Sequence, residues 1–392
     1  MLNEIPKSEF VLRAKKLQEL MDKNKIDFII TFGSEAEPQH VRYFSNYWPS
    51  FETAGVFIPR VGDPILLIGP ESLTFAQEWS KIERIEKILE YRESSEPEYP
   101  DMVLTSFDDL FKEFSNVKKY KKIGLVGYPI MTLPVYNSLR DSAQEFGYEI
   151  IRADKLVDDM KIIKTDVEIE MLRNAAAITE KAFGAVLKVI KPGMTEIQAI
   201  GEAEYYIRKF GAEDRAYSMF CKSGKYTNQA VSRPSQRKIK NNEMVYMNIG
   251  ARLGGYSSSV GRPIAFGKPS KQIMDFMKLG LEAERVVLSS IKEGVVAEEV
   301  TKKFKAFLKA NNSEDAFLYG PCHGLGLLEN EPPWIEEGQK YLLKENMTFC
   351  ACVYIQKYGL GLRFEDGFRV KKDGVEEFTN KYRDLDTLVL RG

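Results

Sequence analysis

The spacing of apolar and polar residues predicts that this chain has two parts. Over the first ~155 residues an amphipathic helix is followed by several short apolar runs, which is typical of an α/β domain. The helix is predicted over 10–24, with Leu12, Leu17, Leu20 and Met21 on one side. The predicted strands lie at 27–32, 55–59, 64–69, 122–127 and 148–152, and the polar segment 93–101 is a predicted surface loop.

The pattern changes near residues 153–160, so we expect one domain over 1–157 and a second over 158–392. A long helix is predicted to open the second domain. Thr165 followed by Glu168 fits a capping box, and Ile169 and Leu172 continue the apolar side. The segment 191–196 predicts a turn and the start of another helix.

Composition and charge exclude some classes of function. The 392 residues carry 56 Lys and Arg against 57 Asp and Glu, and no basic patch indicates a nucleic-acid partner. The longest apolar runs have the length of a strand, so no membrane span is predicted. The N-terminal residues do not resemble a signal peptide, so we expect a cytoplasmic protein with reduced thiols. The four cysteines are Cys221, Cys322, Cys350 and Cys352.

The candidate chemistry lies in separate segments of the second part. His323 stands in a glycine-rich stretch at 320–327, and Glu365 stands in an Arg-Phe-Glu-Asp stretch at 363–366. A strand-like segment with two cysteines lies between them at 347–353. Two upstream segments, 245–251 and 254–263, complete the set. We expect a polar cluster formed by Asn248, Tyr256, Ser257, Ser258, Ser259, His323, Glu331, Cys352, Arg363, Glu365 and Asp366.

In this order and spacing the segments resemble the pita-bread superfamily of prolidase, aminopeptidase P, methionine aminopeptidase and creatinase. The resemblance implies a creatinase-like N-terminal α/β domain followed by a pita-bread C-terminal domain. It is strong over the last ~235 residues and looser over the N-terminal part, where it rests on 39–47.

The resemblance also implies a change in the metal site. The peptidases of this superfamily hold two divalent metals with Asp, Asp, His, Glu and Glu. The matching positions here are Asn248, Ser259, His323, Cys352 and Glu365. Because two carboxylates that would offset the dications are missing, we expect no dimetal centre and no cofactor. A single zinc ion held by Cys352, His323 and Glu365 is the alternative.

Two further histidines of the superfamily have no counterpart here. Where the peptidases carry a second His, this chain has Asn330, and the loop 222–234 lacks the acid/base His of creatinase. The remaining His40 is more typical of a structural residue. The bases Lys222, Lys225, Arg233 and Arg262 either make the entrance of the site cationic or belong to a solvated loop.

The first hypothesis is a metal-independent, creatinase-like hydrolase that cleaves a C–N bond in a small nitrogenous substrate. His323 would be the general acid/base, with Glu365 beside it, and a variant makes Cys352 a nucleophile activated by His323. The carboxylates of Glu331 and Glu365 need a partner, which is either Arg363 or a cationic ligand. The expected substrate-binding residues are Glu331, Arg363, Tyr256, Asn248 and Ser259.

Two other hypotheses stay open. One is a catalytically eroded homologue that binds a small ligand, since a fold does not fix a function. The other is a dipeptidase or aminopeptidase acting on Xaa-Pro bonds. Whether the chain is an enzyme is therefore undecided from sequence, with a hydrolase favoured. The resemblance also implies a homodimer, and the expected partner is a small-molecule substrate or ligand.

Overall fold

The computed structural model describes residues 4–391. These residues form two compact units, Ile5–Lys161 and a unit that begins at Ile162. The chain passes from the first unit to the second near the end of helix α6 (Asp154–Ile162). The sequence-predicted boundary between residues 157 and 158 falls inside this helix and stays a prediction. Among the helices of residues 4–391, none combines the length and apolarity that a membrane span requires.

The first unit is built on a six-stranded sheet with helices. Its elements are α1 (Lys7–Lys23), β1 (Phe28–Gly33), α2 (Gln39–Ser45), β2 (Ala54–Pro59), β3 (Ile65–Ile68), α3 (Leu73–Trp79), β4 (Ile85–Lys87), α4 (Phe107–Glu113), β5 (Lys122–Val126), α5 (Leu133–Glu145) and β6 (Glu149–Arg152), and α6 follows. The strands stand in the order β4-β3-β2-β1-β5-β6. All residues of β1, β2 and β3 are buried, which explains why these strands appear in the sequence as continuous apolar runs.

The second unit contains five further helices and twelve strands within the described residues. They are α7 (Asp166–Val186), α8 (Glu196–Lys209), β7 (Asp214–Arg215), β8 (Phe220–Ser223), β9 (Met244–Ile249), β10 (Ala251–Leu253), β11 (Tyr256–Ser257), β12 (Val260–Phe266), α9 (Lys271–Ser289), α10 (Ala297–Ala310), β13 (Cys322–Gly324), β14 (Glu331–Ile335), β15 (Thr348–Lys357), β16 (Leu360–Lys371), β17 (Gly374–Glu377), α11 (Leu385–Leu388) and β18 (Val389–Leu390).

The predicted start of α7 is confirmed. The Thr165 hydroxyl accepts from the backbone N–H of Glu168, and the Glu168 carboxylate accepts from the backbone N–H of Thr165. These two bonds satisfy N–H groups that the first turn of a helix leaves without partners. The predicted turn and helix start at 191–196 is also confirmed, because α8 begins at Glu196 with Thr195 as its cap.

The large sheet of this unit supplies the site. Its main path is β14-β13-β15-β16-β12-β9-β8, with β17 paired to β16 and β18 paired to β12. The long strands β15 and β16 pair antiparallel over ten residues each, from Thr348 opposite Arg369 to Lys357 opposite Leu360. A second, three-stranded sheet has the order β11-β10-β7. Because directly opposed residues of antiparallel strands face the same side, this register decides which polar side chains meet.

Candidate active site

Antiparallel pairing brings Asn248, Glu365 and Cys352 into one row across the sheet. Asn248 on β9 stands opposite Gly261 on β12, Gly261 stands opposite Glu365 on β16, and Glu365 stands opposite Cys352 on β15. Gly261 has no side chain between its two neighbours. A Cβ atom there would lie 2.7 Å from Oδ1 of Asn248 and 2.8 Å from Cβ of Glu365. The glycine therefore leaves the space in which Asn248 reaches Glu365.

A second row brings His323 beside Cys350. His323 on β13 stands opposite Cys350 on β15, two residues before Cys352 and on the same face of that strand. His323 is buried, and its Nδ1 lies 3.2 Å from the carbonyl oxygen of Gly324, so this nitrogen carries the proton in a neutral ring. The other ring nitrogen, Nε2, is then available to the site.

Glu365 is the most heavily hydrogen-bonded carboxylate of the site. Its Oε1 accepts from the amide nitrogen of Asn248 at 3.0 Å and from the hydroxyl of Ser259. Its Oε2 accepts from Nη1 of Arg363 at 2.9 Å. Ser259 is in turn 2.7 Å from the hydroxyl of Tyr217. Burial alone would raise the pKa of Glu365, but Arg363, His323 and these hydrogen bonds hold it at about 2. Glu365 is therefore an anion at neutral pH.

Glu329, which sequence reasoning missed, also lies in the site. It follows the His323 segment, and its Oε1 lies 3.5 Å from Nε2 of His323. Burial raises the pKa of Glu329 well above its usual value, and the neighbouring Glu365 raises it further. Burial lowers the pKa of His323 and raises that of Cys350. Burial therefore favours the neutral form of each of these three groups.

One ligand atom from each of four residues lies close to the other three. The ring nitrogen of His323, a carboxylate oxygen of Glu329, the sulfur of Cys350 and a carboxylate oxygen of Glu365 all lie within 4.8 Å of one another. The zinc set expected from sequence, Cys352 with His323 and Glu365, is therefore not the set that the structure brings together. Cys350 takes the place of Cys352, because Cys350 is the residue that the β13–β15 register sets opposite His323.

Cys352 stands opposite Glu365, as described above, and its other neighbours are Arg363 and Tyr319. Its sulfur lies 3.3 Å from Nη1 of Arg363 and 3.6 Å from the hydroxyl of Tyr319. Burial raises the pKa of the Cys352 thiol well above its usual value, although Arg363 opposes this effect. The expected pair of a Cys352 thiolate with His323 has no counterpart in the structure, since a buried neutral thiol is a poor nucleophile.

The expected substrate-binding residues are largely occupied by partners within the protein. The hydroxyl of Tyr256 donates to Glu168 at 2.6 Å. Lys164 forms an ion pair with Glu331 at 3.1 Å, and both side chains are 3% exposed. Besides Glu365, Arg363 donates to the carbonyl of Ala230 and to the hydroxyl of Tyr319. Asn248 and Ser259 lie in the site, and their hydrogen bonds go to Glu365.

Two of the four bases fit neither alternative, a cationic entrance or a solvated loop. Lys222 is buried and forms an ion pair with Glu196 at 2.8 Å. Arg262 is fully buried and pairs with Asp366 at 2.8 Å, on the far side of the row that contains Glu365. These carboxylates explain why both cations are buried, because a buried charge is stable only when an opposite charge compensates it. Lys225 and Arg233 stay as predictions.

Behind the site lies a buried network of two carboxyls and two arginines. Asp366 accepts from Arg262 and, at 2.7 Å, from Arg383. Glu284 on α9 is 3.3 Å from Arg383. Burial raises the pKa of Glu284 well above its usual value, and Asp366 raises it further, although both arginines oppose the shift. Because Arg383 lies closer to Asp366 than to Glu284, we assign the proton of this network to Glu284.

Comparison with known proteins identifies the class to which this architecture belongs. Residues 170–372 match metallopeptidase family M24, and residues 13–163 match the creatinase/prolidase N-terminal domain. The chain therefore belongs to metallopeptidase family M24. The expected fold, a creatinase-like N-terminal α/β domain followed by a pita-bread domain, is confirmed.

Similar proteins cover nearly the whole chain. The Xaa-Pro dipeptidase of Pyrococcus furiosus is 29% identical over 382 residues, which are 95% of this chain and 99% of that protein. The crystal structure of the prolidase from Pyrococcus horikoshii OT3 superposes with a TM-score of 0.80 at 25% identity, over 95% of this chain and 99% of that one. The X-Pro aminopeptidase from Thermotoga maritima MSB8 shares the fold, with a TM-score of 0.82 at 23% identity over 97% of this chain and 99% of that chain.

The family description implies metal ions, and the residues present do not fit a pair of them. Asn248 and Ser259 direct an N–H and an O–H at Glu365, so they offer hydrogens there where a dication requires lone pairs. Arg363 places a positive charge 2.9 Å from the same carboxylate. Within residues 4–391 this cluster therefore does not provide the bridging carboxylates that a dinuclear centre requires. That Asn248 and Ser259 replace metal ligands of the superfamily rests on the resemblance and stays a prediction.

Proposed function

We propose that the protein hydrolyses a neutral amide C–N bond in a short peptide, with Xaa-Pro dipeptides as the first substrates to test. The observation that carries this proposal is the charge balance of the site. Both carboxylates expected to grip a cationic ligand already have a cation of the protein beside them, Arg363 for Glu365 and Lys164 for Glu331. The names of similar proteins that span 95% of the chain point to the same substrate class.

The same charge balance weakens the creatinase-like hypothesis. One argument for that hypothesis was that Glu331 and Glu365 need a partner, which is either Arg363 or a cationic ligand. Because Arg363 and Lys164 neutralise them, a cationic substrate would have to enter beside two resident cations. Such an arrangement costs Coulomb energy in a poorly hydrated site. The amide group at which a peptide is cleaved is neutral and meets no such penalty.

Hydrolysis of an amide needs an activated water and a proton for the leaving nitrogen. His323 and Glu329 are the titratable pair that faces the cluster, with 3.5 Å between Nε2 and Oε1. We place the attacking water beside these two side chains. Glu365 supports the pair as a fixed anion held by Arg363, Asn248 and Ser259. Cys352 has no part in the chemistry.

The test is a substrate panel on the purified full-length chain, supplied with zinc or cobalt. It compares Xaa-Pro dipeptides with the same dipeptides carrying alanine in place of proline, and with creatine. His323→Asn is the control for contaminating peptidases, because its side-chain amide keeps a donor for the Gly324 carbonyl. Cleavage of Xaa-Pro peptides that is lost in this variant, with its thermal unfolding unchanged, is the expected result.

Two outcomes would overturn the proposal. Cleavage of creatine but of no peptide would restore the creatinase-like hypothesis. Saturable binding of proline dipeptides that is measured by calorimetry and is not accompanied by cleavage would favour a ligand-binding homologue.

A further inference from the structure

Glu329 is the acidic group of the site whose charge the protein does not balance. Among residues 4–391, its one ion-pair contact is with Nε2 of His323 at 3.5 Å. The neighbouring carboxylate of Glu365 already forms an ion pair with Arg363. The side chain of Glu365 is fully buried and that of Glu329 is 15% exposed, so ionising both carboxyl groups is costly unless a further cation is present. The charge balance of the site therefore calls for one more positive partner, which is either a proton or a metal ion.

The four converging ligand atoms fit a metal ion in number and spacing. Metal–ligand bonds of ~2.0–2.3 Å place neighbouring ligands of a tetrahedral zinc ion about 3.3–3.8 Å apart. The four atoms here lie within 4.8 Å of one another, so a shift of about 1 Å or less would close the shell. They come from β13, the loop before β14, β15 and β16, so the sheet itself fixes three of them.

The hydrogen bonds of Glu365 limit the site to one ion. Its Oε1 already accepts from Asn248 and Ser259, and its Oε2 accepts from Arg363. A carboxylate oxygen has two lone pairs, so one coordination position on Oε2 remains. Because Arg363 uses the other lone pair of Oε2, Glu365 has no lone pair left for a second ion.

The charges also balance for one divalent ion. Ionised Cys350, Glu329 and Glu365 carry three negative charges, and a divalent ion with Arg363 carries three positive ones. A buried site is stable only when its charges are compensated. The sulfur and imidazole ligands favour zinc or cobalt over magnesium or manganese, which prefer oxygen.

A buried acceptor at the edge of the cluster gives independent support. The side chain of Asn248 is 1% exposed, its nitrogen donates to Glu365, and its Oδ1 has no hydrogen-bond partner among residues 4–391. A buried polar atom without a partner is costly and requires an explanation. A water on a metal ion at Glu365 would donate to this acceptor.

We propose that His323, Glu329, Cys350 and Glu365 bind one thiophilic divalent cation, with a cysteine thiolate among its ligands. Because four protein groups already make a tetrahedral shell, a water or a substrate carbonyl would be a fifth ligand of the bound ion. The ion would then supply the activation of water that the proposed hydrolysis requires. The site itself does not depend on which substrate is cleaved.

The test is a titration of the chelator-treated full-length protein with Co²⁺, followed by absorption spectroscopy. Cobalt bound to a thiolate gives a sulfur-to-metal charge-transfer band, which His and carboxylate ligands do not give. We expect the band to saturate at one equivalent of cobalt. It should disappear in Cys350→Ser and remain in Cys352→Ser, the matched variant two residues along the same face of β15. Glu329→Gln should weaken cobalt binding at least tenfold.

Several results would overturn the cation site. They are saturation at two equivalents, no saturable binding, or a band that persists in Cys350→Ser and is lost in Cys352→Ser. Failure of the cation site and failure of the proposed hydrolysis are distinguishable. Peptide cleavage by a protein that shows no saturable cobalt band refutes the former alone, whereas stoichiometric cobalt without cleavage of any peptide refutes the latter alone.

Discussion

Nη1 of Arg363 lies 2.9 Å from Oε2 of Glu365, and both side chains are buried in the candidate site. The two residues are two positions apart on one strand, so they face the same side of the sheet. This pair makes the site differ from one built to hold two dications, because the protein supplies one positive charge itself. It also limits which substrates and ions the remaining space accepts.

Breaking this pair is expected to destabilise the fold. Arg363→Met leaves the Glu365 carboxylate buried without its cation and should cost about 3–5 kcal/mol of unfolding free energy. Glu365→Gln alone should also destabilise, because it leaves the guanidinium unpaired. The double variant Arg363→Met/Glu365→Gln should lose less than the sum of the two single variants. Urea unfolding at pH 7 measures the free energy of unfolding of the parent chain, the two single variants and the double variant. Additive losses would show that the two side chains are not coupled.

The space left by Gly261 gives a second prediction. In Gly261→Ala the new methyl group would contact Asn248 and Glu365 at distances below 3 Å, and the resulting strain should cost ~1–3 kcal/mol. It should also weaken cobalt binding, because Glu365 is displaced. Gly201→Ala in α8 is the matched control. No atom lies within 4 Å of its added Cβ, so it should stabilise the helix by up to about 1 kcal/mol. Thermal unfolding measures the stability of both variants, and cobalt titration measures their affinity for the ion. A Gly261→Ala variant that is as stable as Gly201→Ala and binds cobalt equally well would contradict the prediction.

The buried proton of Glu284 predicts a specific dependence of stability on pH. Its pKa in the folded protein is raised above the usual value of 4.5, chiefly by burial. The stability associated with this group is therefore fully present below pH 4.5 and is lost as pH rises toward the folded pKa. Glu284→Gln mimics the protonated form, so it should be more stable than the parent chain by at least about 1 kcal/mol at pH 8.

This gain should vanish near pH 4, where Glu284 is protonated in both the folded and the unfolded chain. Urea unfolding from pH 4 to pH 8 measures it. Glu282→Gln, at a more exposed position of the same helix, should show no such trend. A gain that is constant across this range would contradict the assignment of the proton to Glu284.

Much of the fold follows from local sequence patterns. The apolar runs of β1, β2 and β3 and the capping box at Thr165 depend on residues within one element, so they are visible without the structure. The helix predicted over 10–24 is observed as Lys7–Lys23, with Leu17 and Met21 in its buried side. Leu12 is exposed, since the apolar stripe of this helix is narrower than the sequence pattern predicts.

The site depends on contacts between residues that are far apart in the sequence, and local sequence patterns do not reveal these contacts. Alternation places Cys350 and Cys352 on one face of a strand, but the pairing of β13 with β15 decides which of them stands opposite His323. The Lys164–Glu331 pair joins residues 167 positions apart. Glu329 was visible as an acidic residue six positions after His323, yet no local pattern fixes the direction of a loop side chain.

The most direct test of the whole account is the dependence of Xaa-Pro dipeptide hydrolysis on bound metal. Chelator-treated protein is titrated with Zn²⁺ or Co²⁺, and the initial rate of cleavage is followed as a function of metal equivalents. The account predicts no activity without metal and a rate that rises linearly and stops rising at one equivalent. A rate that keeps rising to two equivalents, or full activity without metal, would contradict it.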